Sequence, residues 1–383
     1  MHILVNASNL KKGGGLQVAD SFCCLLNQYE RHRFVVVLSH YLATTAKQIE
    51  KYSNVKVIMY DMPKNIRTFF TGRDMQMDSI VEKEGVDAVF TIFGPSLWIP
   101  KVLHISGFAR AHCVLKNSPY FTRMRWNERL MSDFDRELLL WAFKRCANVY
   151  FTENEYISTK LRSILNGKTV YTVTNYYNQV FDDYARWTDG INLPQFNGIT
   201  LLTISANYPH KNLSIIIPTV HYLKEKYPDF SFRFVLTIDK ENLVSGDDSA
   251  LSNIVFLGKV PLTECPHLYE QSDIVFSSSL LECFTAVYPE AMRMGKPIIT
   301  TDLNFSRSLC GDAALYYDAL SPAAFGEAIY KLANDDLLRN ELVEKGKKQL
   351  TNYDTYEARA DKLISIVEKE YMQRNNNLNS RYK

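Results

Sequence analysis

The stretch from residue 273 to residue 302 constrains the fold more than any other part of this 383-residue chain. It begins with a short apolar run at 274–276 and passes through a Ser-rich turn into a helical pattern at about 286–294. A Gly-Lys-Pro sequence ends that pattern, and a second apolar run follows at 297–299. A strand, a loop, a helix and a second strand form the crossover unit of a parallel sheet. The stretch therefore predicts an α/β protein.

Two carboxylates bracket the turn of this unit. Glu282 lies in the loop before the helix and Glu290 lies inside the helix, with seven residues between them. The backbone amides around Thr285 and Ala286 have no partner within the helix, and the positive end of the helix dipole lies beside them. The sequence therefore predicts a phosphate site at these amides, with one carboxylate on each side for hydroxyl groups.

The same segment carries a family resemblance. The run from Glu282 to Pro297, ECFTAVYPEAMRMGKP, resembles the E-x7-E signature of retaining glycosyltransferases of the GT-B fold, and of glycosyltransferase family 4 in particular. It keeps both glutamates and Phe284 of the usual form, whereas Cys283 and Thr285 stand where glycines are usual. Thr285 leaves less room than glycine for backbone to approach a ligand. The alternative is an amphipathic helix with incidental acids in any doubly wound domain.

The resemblance implies a GT-B architecture, with two Rossmann-like, doubly wound parallel-sheet domains that face a central cleft. The length agrees, because 383 residues suit two α/β domains better than one core. Apolar strand patterns alternate with helical patterns in both halves, as parallel sheets require. The predicted parts are an acceptor-side domain (1–175), a linker (176–198), a nucleotide-sugar-binding domain (199–352), a helix that packs back on the first domain (353–372) and a disordered tail (373–383).

Composition narrows the class of protein. Apolar residues make up 46% and charged residues 22% of the chain, which is ordinary for a globular protein. No run approaches the roughly 20 apolar residues that span a bilayer, and the N-terminus lacks a cleavable signal pattern. The seven cysteines are odd in number and form no C-x-x-C pair. We therefore expect free thiols and a cytoplasmic protein.

Charge is unevenly shared along the chain. The net charge is +2, but residues 1–175 carry +8 and the remainder carries −6. One segment of the first domain mixes cations with aromatic side chains, so it can adsorb to the cytoplasmic face of an anionic membrane or hold an acceptor's phosphate. A solvated, salt-bridged face is the alternative. Nucleic acid is not expected as a partner, because the pI near 8.0 shows no strong basic excess. The segment contains Arg110, Lys116, Tyr120, Phe121, Arg123, Arg125, Trp126 and Arg129.

Two features of the first domain are candidate ligand contacts. Gly13, Gly14 and Gly15 follow the first predicted strand, where glycine permits positive φ and close ligand approach. They do not form G-x-G-x-x-G, so a dinucleotide site is not predicted. The resemblance implies a loop beside the donor diphosphate and the acceptor, and a merely flexible turn is the alternative. By resemblance, His112 contacts the donor sugar, whereas His104 lies within a predicted strand and is expected to be a core residue.

The second domain opens with a comparable loop. A strand at 199–205 leads into Asn207-Tyr-Pro-His-Lys211-Asn, and a helix follows. The Pro-x-Lys-Asn sequence resembles the family's phosphate-binding loop, in which Lys211 would neutralise the donor diphosphate. The family's usual arginine, a few residues upstream, is missing, so another cation or backbone amides must compensate. Further along, Gly258-Lys259 resembles the family loop beside the nucleotide base.

The chemistry implied by the resemblance assigns a role to each candidate. Lys211 and the amides of Thr285 and Ala286 stabilise the leaving diphosphate. Glu290 accepts hydrogen bonds from ribose hydroxyls, and Glu282 contacts the donor sugar beside its anomeric carbon. Substrate contacts extend to Asn207, Lys259 and Phe284. The leaving phosphate helps to deprotonate the acceptor on the same face, so no metal and no cofactor besides the nucleotide-sugar donor are expected. The lone acidic pair Asp182-Asp183 is not a convincing metal site.

The predicted function is therefore transfer of a hexose-type sugar from a nucleotide-diphosphate sugar to a glycan or lipid-linked acceptor, in surface polysaccharide biosynthesis. Two alternatives remain open. One is another GT-B enzyme, such as a nucleotide-sugar epimerase or an inverting transferase. The other is a catalytically silent nucleotide-sugar-binding subunit, which the missing arginine and the Thr285 substitution favour. A dehydrogenase is disfavoured by the spacing of the glycines.

Overall fold

The computed structural model describes residues 1–63, 66–188, 190–243 and 248–380, with the backbone alone at 378–380. The chain divides into two compact units. The first unit consists of Met1–Leu115, Arg125–Asn175 and Asp354–Lys383, and the second consists of Lys116–Met124 and Tyr176–Tyr353.

The first unit is built on a seven-stranded parallel sheet. The five inner strands are almost entirely buried, mainly apolar runs, because helices cover both faces of such a sheet, whereas the two edge strands are partly exposed. The spatial order is β3-β2-β1-β4-β5-β6-β7, so the direction of winding reverses between β1 and β4. The strands are β1 (His2–Ala7), β2 (Arg33–Leu38), β3 (Val55–Met59), β4 (Ala88–Thr91), β5 (Leu103–Gly107), β6 (Val149–Thr152) and β7 (Thr169–Thr172).

Helices connect these strands. Asp74 caps one of them, since its side chain accepts from the backbone N–H groups of Gln76 and Met77, and left-handed Gly85 ends it. The helices are α1 (Gly14–Cys23), α2 (Ala43–Ile49), α3 (Ile66–Thr71), α4 (Met75–Glu84), α5 (Ala111–Val114), α6 (Trp126–Cys146) and α7 (Glu155–Ile164).

The second unit has the same kind of sheet: six parallel strands in the order β10-β9-β8-β11-β12-β13. The winding reverses between β8 and β11, which corresponds to the β1 and β4 position of the first unit. The strands are β8 (Ile199–Thr203), β9 (Phe232–Leu236), β10 (Ile254–Phe256), β11 (Ile274–Ser277), β12 (Ile298–Thr301) and β13 (Ala314–Tyr317). The helices are α8 (Ile216–Lys226), α9 (Cys265–Glu270), α10 (Val287–Arg293), α11 (Asn304–Cys310), α12 (Pro322–Asn334) and α13 (Asp336–Leu350). The two sheets confirm the predicted pair of doubly wound parallel-sheet domains.

The last helix, α14 (Tyr356–Ser380), belongs to the first unit. Ala360, Leu363 and Val367 on α14 are buried in the same core as strands β1, β2 and β4. The predicted disordered tail is wrong for residues 373–380, which continue the helix; residues 381–383 lie outside the described part. Adding a residue to an existing helix restricts the backbone of only that residue and gains one hydrogen bond, so continuing the helix costs less than starting one. The side chain of Arg374 also donates to the carbonyl of Lys101 at 3.2 Å.

Two further boundaries differ from the prediction. Lys116–Met124 belongs to the second unit, although the sequence placed it within the first domain. The segment 176–198, predicted as an irregular linker, is packed on the second unit, where Val180 and Phe181 are buried in the core. Because both differences arise from contacts with residues distant in sequence, local patterns did not reveal them. None of the helices in the described part of the chain combines the length and apolarity needed to cross a bilayer.

Candidate functional site

The candidate site lies at the carboxyl ends of β8 and β11, where the winding of the second sheet reverses. Open α/β sheets bind ligands at this position, because the two loops diverge there. A small pocket lies between them. Its lining is mainly hydroxyl-bearing, with one ammonium group, and includes Thr203, Ser205, Lys211, Ser277, Ser278, Ser279 and Thr285.

The loop after β8 is held in place by the loop after β11. Pro209–Lys211 forms one turn of 3-10 helix, and Asn212 ends it in the left-handed conformation, with φ 52°. Ser278 Oγ donates to the carbonyl of Lys211 at 2.7 Å, and Leu280 N–H donates to the carbonyl of His210 at 2.7 Å. These two bonds orient the turn, so its lysine side chain points along the end of β11.

Lys211 and Glu282 form an ion pair at this point. Lys211 Nζ lies 2.5 Å from Glu282 Oε1, and both side chains are largely withdrawn from solvent. His210 Nε2 approaches the same oxygen at 3.8 Å. Burial lowers the pKa of His210, which the charge on Glu282 only partly offsets, so this imidazole is neutral near pH 7. Lys211 and Glu282, which the sequence named separately as candidate site residues, therefore lie together.

Thr285 and Ala286 precede α10. Thr285 is buried and lines the pocket, so its methyl and hydroxyl groups occupy space that a glycine would leave open. Ala286 is the N-cap of α10 and supplies no side-chain hydrogen bond to the first turn. The amides of this turn thus lie beside the pocket wall.

Glu290 lies within α10, and the residues that line the pocket do not include it. Its carboxylate is buried, and Tyr269 Oη donates to Oε2 at 2.7 Å. Burial raises the pKa of Glu290 to about 7, although the Tyr269 bond opposes the shift. Tyr269 packs in the core and also orients this carboxylate.

The other predicted contacts of the second unit lie at its surface or in its core. The ring of Phe284 is half-buried and lies 6.1 Å from that of Tyr353. Asn207 is exposed, and its Nδ2 donates to the carbonyl of Asn242 at 2.6 Å. Lys259 is exposed and follows Gly258, which has φ 66°. None of these three residues lines the pocket.

The remaining predicted contacts belong to the first unit. Gly13 adopts φ 74° at the N-terminus of α1, and α1 begins at the exposed Gly14. A side chain at Gly15 would contact Leu10 at 3.4 Å, so this glycine permits close packing as well as close approach.

The two histidines of the first unit differ in environment. His112 lies on α5 with its Nε2 3.6 Å from Asp135 Oδ2. His104 is buried in β5 with Nε2 2.8 Å from Thr91 Oγ1, and burial lowers its pKa to about 4. His104 is thus the core residue that the sequence predicted.

Sequence reasoning missed the contacts of segment 116–124 with the site. Ser118 Oγ donates to the carbonyl of Leu280 at 2.5 Å, and the guanidinium of Arg123 donates to Asn212 Oδ1. The basic and aromatic composition of this segment was the available signal. It indicated a ligand or surface role, but it could not identify the loop that the segment contacts.

A metal site is not evident in the part of the chain that the structure describes, since no group of three or more His, Cys, Asp or Glu side chains could hold an ion there. Asp182, which the sequence analysis did not favour as a metal ligand, forms an ion pair with Arg293, with Oδ1 2.7 Å from Nε.

Part of the chain is similar in sequence to known proteins. The family model described as "Glycosyl transferases group 1" matches residues 192–349. A phosphatidyl-myo-inositol mannosyltransferase of Mycobacterium leprae is 26% identical over 164 residues. That match covers 42% of this chain and 44% of the relative, which is less than half of either.

Solved structures resemble nearly the whole chain. A sucrose-phosphate synthase from Thermosynechococcus elongatus has a TM-score of 0.69 at 12% identity, with 97% of this chain and 99% of that chain covered. A glycosyltransferase from Rickettsia africae has a TM-score of 0.67 at 15% identity, with 97% and 98% covered. Anabaena Alr3699/HepE in complex with UDP has a TM-score of 0.68 at 14% identity, with 96% and 100% covered.

The fold is of the GT-B class, as the sequence predicted. More particularly, residues 192–349 of the second unit match the model of the glycosyl transferases group 1 family.

Proposed function

We propose that this chain is a retaining glycosyltransferase that transfers a hexose from a nucleotide-diphosphate sugar to a glycan or lipid-linked acceptor. The observation that carries the proposal is the Lys211–Glu282 pair beside a hydroxyl-lined pocket at the switch point of the second sheet. A cation, an amide-bearing turn and an acid meet there, and a sugar diphosphate needs all three.

Lys211 stabilises the leaving diphosphate in this proposal. Its ammonium group lies 2.5 Å from Glu282 Oε1. When a donor binds, a phosphate oxygen replaces that carboxylate as partner of Nζ. Glu282 is then available to accept hydrogen bonds from hydroxyls of the donor sugar, and its charge favours positive character at the anomeric carbon. The pair thus keeps both groups oriented before the substrate arrives.

Glu290 binds the ribose in this proposal. Tyr269 donates to Oε2 at 2.7 Å, and Oε1 would accept from a ribose hydroxyl. The pKa near 7 means that donor binding and ionisation of Glu290 are coupled, since a charged carboxylate is the stronger acceptor.

Arg123 provides the second cation of the diphosphate site. The family's usual arginine is replaced in this chain by Ser205, Ala206 or Asn207. The guanidinium of Arg123 lies instead against Asn212, the residue after Lys211. A planar guanidinium suits bidentate binding of phosphate, so this position can restore the missing charge from another part of the sequence.

The acceptor is the least constrained part of the proposal. The mycobacterial relative is by name a phosphatidyl-myo-inositol mannosyltransferase, which agrees with a lipid-linked acceptor. Gly13 to Gly15 and His112 are proposed acceptor-side or donor-sugar contacts. Membership of family 4, the role in polysaccharide biosynthesis and the cytoplasmic localisation stay predictions.

A donor screen tests the function. Purified protein is heated with UDP-, GDP- and ADP-sugars, and one nucleotide class is expected to raise Tm in a concentration-dependent manner. NMR of the product of that donor should show the anomeric configuration of the donor retained. Absence of any Tm shift would contradict the nucleotide-sugar site, and an inverted product would contradict retention alone.

A catalytically silent nucleotide-sugar-binding subunit is the second candidate. The observation that favours it is Thr285, which narrows the pocket where a glycine is usual. Both candidates predict donor binding, so transfer or slow hydrolysis of the donor distinguishes them. Turnover that disappears in Lys211→Ala would exclude the silent subunit.

A further inference from the structure

His210 immediately precedes Lys211, and its imidazole faces the Lys211–Glu282 ion pair. His210 Nε2 is 3.8 Å from Glu282 Oε1, the same oxygen that lies 2.5 Å from Lys211 Nζ. That oxygen is buried, and it accepts no hydrogen bond of regular geometry from the residues that the structure describes. It can therefore accept a bond from a further donor. The function proposed above uses Lys211 and Glu282, whereas His210 has no role in it.

Neighbouring rings and a backbone bond hold His210 beside Glu282. The ring of Tyr208 lies nearly parallel to the imidazole, at 5.6 Å between centroids, and the ring of Tyr120 meets it edge-on at 6.3 Å. The N–H of Leu280 donates to the carbonyl of His210 at 2.7 Å. An N–H···O bond is about 2.9 Å long, so a movement of about 1 Å would bring Nε2 into hydrogen-bond contact with Glu282.

The charges around His210 change when Lys211 leaves Glu282. Burial lowers the pKa of His210, the carboxylate of Glu282 raises it, and the ammonium of Lys211 lowers it. Tyr120 and Tyr208 present aromatic rings to the imidazole, and the guanidinium of Arg123 lies one turn away against Asn212. If Lys211 is withdrawn, the imidazole is left beside a carboxylate that has lost its cation, which favours protonation of the imidazole.

We propose that His210 is a positioning residue that replaces Lys211 as the partner of Glu282 when a nucleoside diphosphate binds. The proposal rests on the proposed function, in which a phosphate oxygen becomes the partner of Lys211 Nζ. The side chain of His210 is 29% exposed, so a proton can reach it from solvent. Both ring nitrogens then carry hydrogen, and Nε2–H donates to Glu282 Oε1. The other carboxylate oxygen of Glu282 stays available to the donor sugar.

The exchange of partners avoids a buried charge without a counterion. The side chain of Glu282 is only 11% exposed, and a buried carboxylate that loses its cation is strongly destabilised. With His210 protonated, Lys211 can turn to the diphosphate while Glu282 stays paired. Binding therefore takes up a proton at His210. The affinity gained in this way is present at low pH and is lost as pH rises through the pKa of His210 in the complex.

A titration of the full chain without nucleotide tests the exchange itself. Lys211→Met leaves Glu282 without its cation, as diphosphate binding would. The NMR titration of the His210 imidazole, identified by the signal that His210→Gln removes, should move to higher pH by about one unit or more in this variant. Adding Glu282→Gln to Lys211→Met should abolish the shift. An unchanged His210 titration in a folded Lys211→Met protein would overturn the proposal.

Calorimetric titrations with UDP, GDP and ADP test the exchange during binding. The ratio of wild-type affinity to His210→Gln affinity should be about tenfold or more near pH 6 and should approach one near pH 8.5. This ratio cancels the ionisation of Glu290 and of the nucleotide, which both proteins share. Near pH 7, buffers of different ionisation enthalpy should show greater proton uptake by the wild type. A ratio that does not depend on pH, or equal proton uptake, would contradict the exchange.

His221 provides the matched control, since its Nε2 lies 2.8 Å from Asp248 Oδ1 and it does not line the pocket. His221→Gln should bind nucleotide and take up protons like the wild type, and the same losses in both histidine variants would overturn the proposal. Thermal unfolding checks that each variant is folded. If the wild type binds none of the three nucleotides, the proposed donor site fails, together with the part of this proposal that concerns binding. The His210 titration in Lys211→Met then still decides whether His210 replaces Lys211 at Glu282.

Discussion

The two units share one strand order but differ in the chemistry at the point where the winding reverses. In the first unit this point holds neutral groups, since Asn6 Nδ2 donates to Thr91 Oγ1 at 3.3 Å and Ser8 Oγ donates to Asn6 Oδ1 at 2.7 Å. In the second unit the same position holds the Lys211–Glu282 ion pair. Topology therefore fixes where a ligand can bind, and side chains decide which ligand. A negatively charged diphosphate requires a cation, as in the second unit, rather than the neutral groups of the first unit.

The largest expected effect concerns the stability of the first unit. Arg359 on α14 pairs with the buried Glu153, with Nη2 3.0 Å from Oε1. Arg359→Leu leaves a buried carboxylate without its cation, so the free energy of unfolding should fall by about 3 to 5 kcal/mol in urea titrations. The rise in Tm that a nucleotide-sugar donor causes should persist in this variant, because the proposed donor site lies in the second unit.

An exposed ion pair is the control for this variant. Arg31 is largely exposed and pairs with Glu368 at 3.0 Å, so Arg31→Gln should change stability by less than about 1 kcal/mol. Because burial raises the pKa of Glu153, adding Glu153→Gln to Arg359→Leu should recover part of the loss. Equal losses for the buried and the exposed pair would contradict this account of α14.

The next largest effect is expected at the Lys211–Glu282 pair of the second unit. Lys211→Ala should reduce kcat by about 10²- to 10³-fold, because one charge-stabilising donor of the leaving group is lost. Lys345→Ala is the matched control, since Lys345 forms an exposed pair with Glu341 at the same 2.5 Å distance. Full activity of Lys211→Ala in steady-state assays would remove Lys211 from the mechanism.

Glu290→Gln tests the proposed ribose contact. Donor affinity by calorimetry should fall by about 1.5 to 3 kcal/mol, the loss typical of hydrogen bonds to a charged group. Tyr269→Phe, which leaves the carboxylate in place, should cost less. Unchanged donor affinity in Glu290→Gln would refute the ribose role.

The same glutamate makes stability depend on pH. The pKa of Glu290 is raised in the fold from 4.5 to about 7, so the folded state favours the protonated carboxyl. The stabilisation is complete below pH 4.5 and is lost as pH rises through 7. Urea midpoints of the wild type relative to Glu290→Gln should decline across this window, and parallel profiles would contradict it.

The smallest expected effect is that of a chelator. The proposed mechanism uses Lys211 and backbone amides where another enzyme class uses a metal ion, so EDTA should leave turnover unchanged. Dialysis followed by assays with and without added Mg²⁺ or Mn²⁺ makes the measurement. Loss of activity in EDTA that a metal restores would place a cation at the diphosphate.

Sequence patterns predicted regular elements well where apolar runs were long or bounded by turn residues. The apolar runs at 274–276 and 297–299, for example, fall on β11 (Ile274–Ser277) and β12 (Ile298–Thr301). Strand β13 and helices α3 and α11 span only four to seven residues, and such short segments show too little periodicity to separate strand from helix. The helical continuation past residue 372 was missed because its asparagine-rich composition is typical of disorder.

The residues of the candidate site also fall into those that the sequence predicted and those that it did not. Lys211 and Glu282 were predicted because each lies in a short motif beside a predicted strand. The Arg123–Asn212 and Tyr269–Glu290 contacts were not predicted, because they join residues 89 and 21 positions apart. Local periodicity carries no information about which distant side chains meet, so these partners required the three-dimensional structure.

The position of α14 has a consequence for synthesis on the ribosome. Strands β1, β2 and β4 leave the exit tunnel early, but the apolar side of α14 that covers their core is translated last. In the nascent chain the N-terminal unit is therefore incomplete, and the apolar surface that α14 later covers is accessible to chaperones. The middle of the polypeptide is already able to fold at that stage. Truncation shortly before residue 356 would harm the beginning of the protein more than its centre.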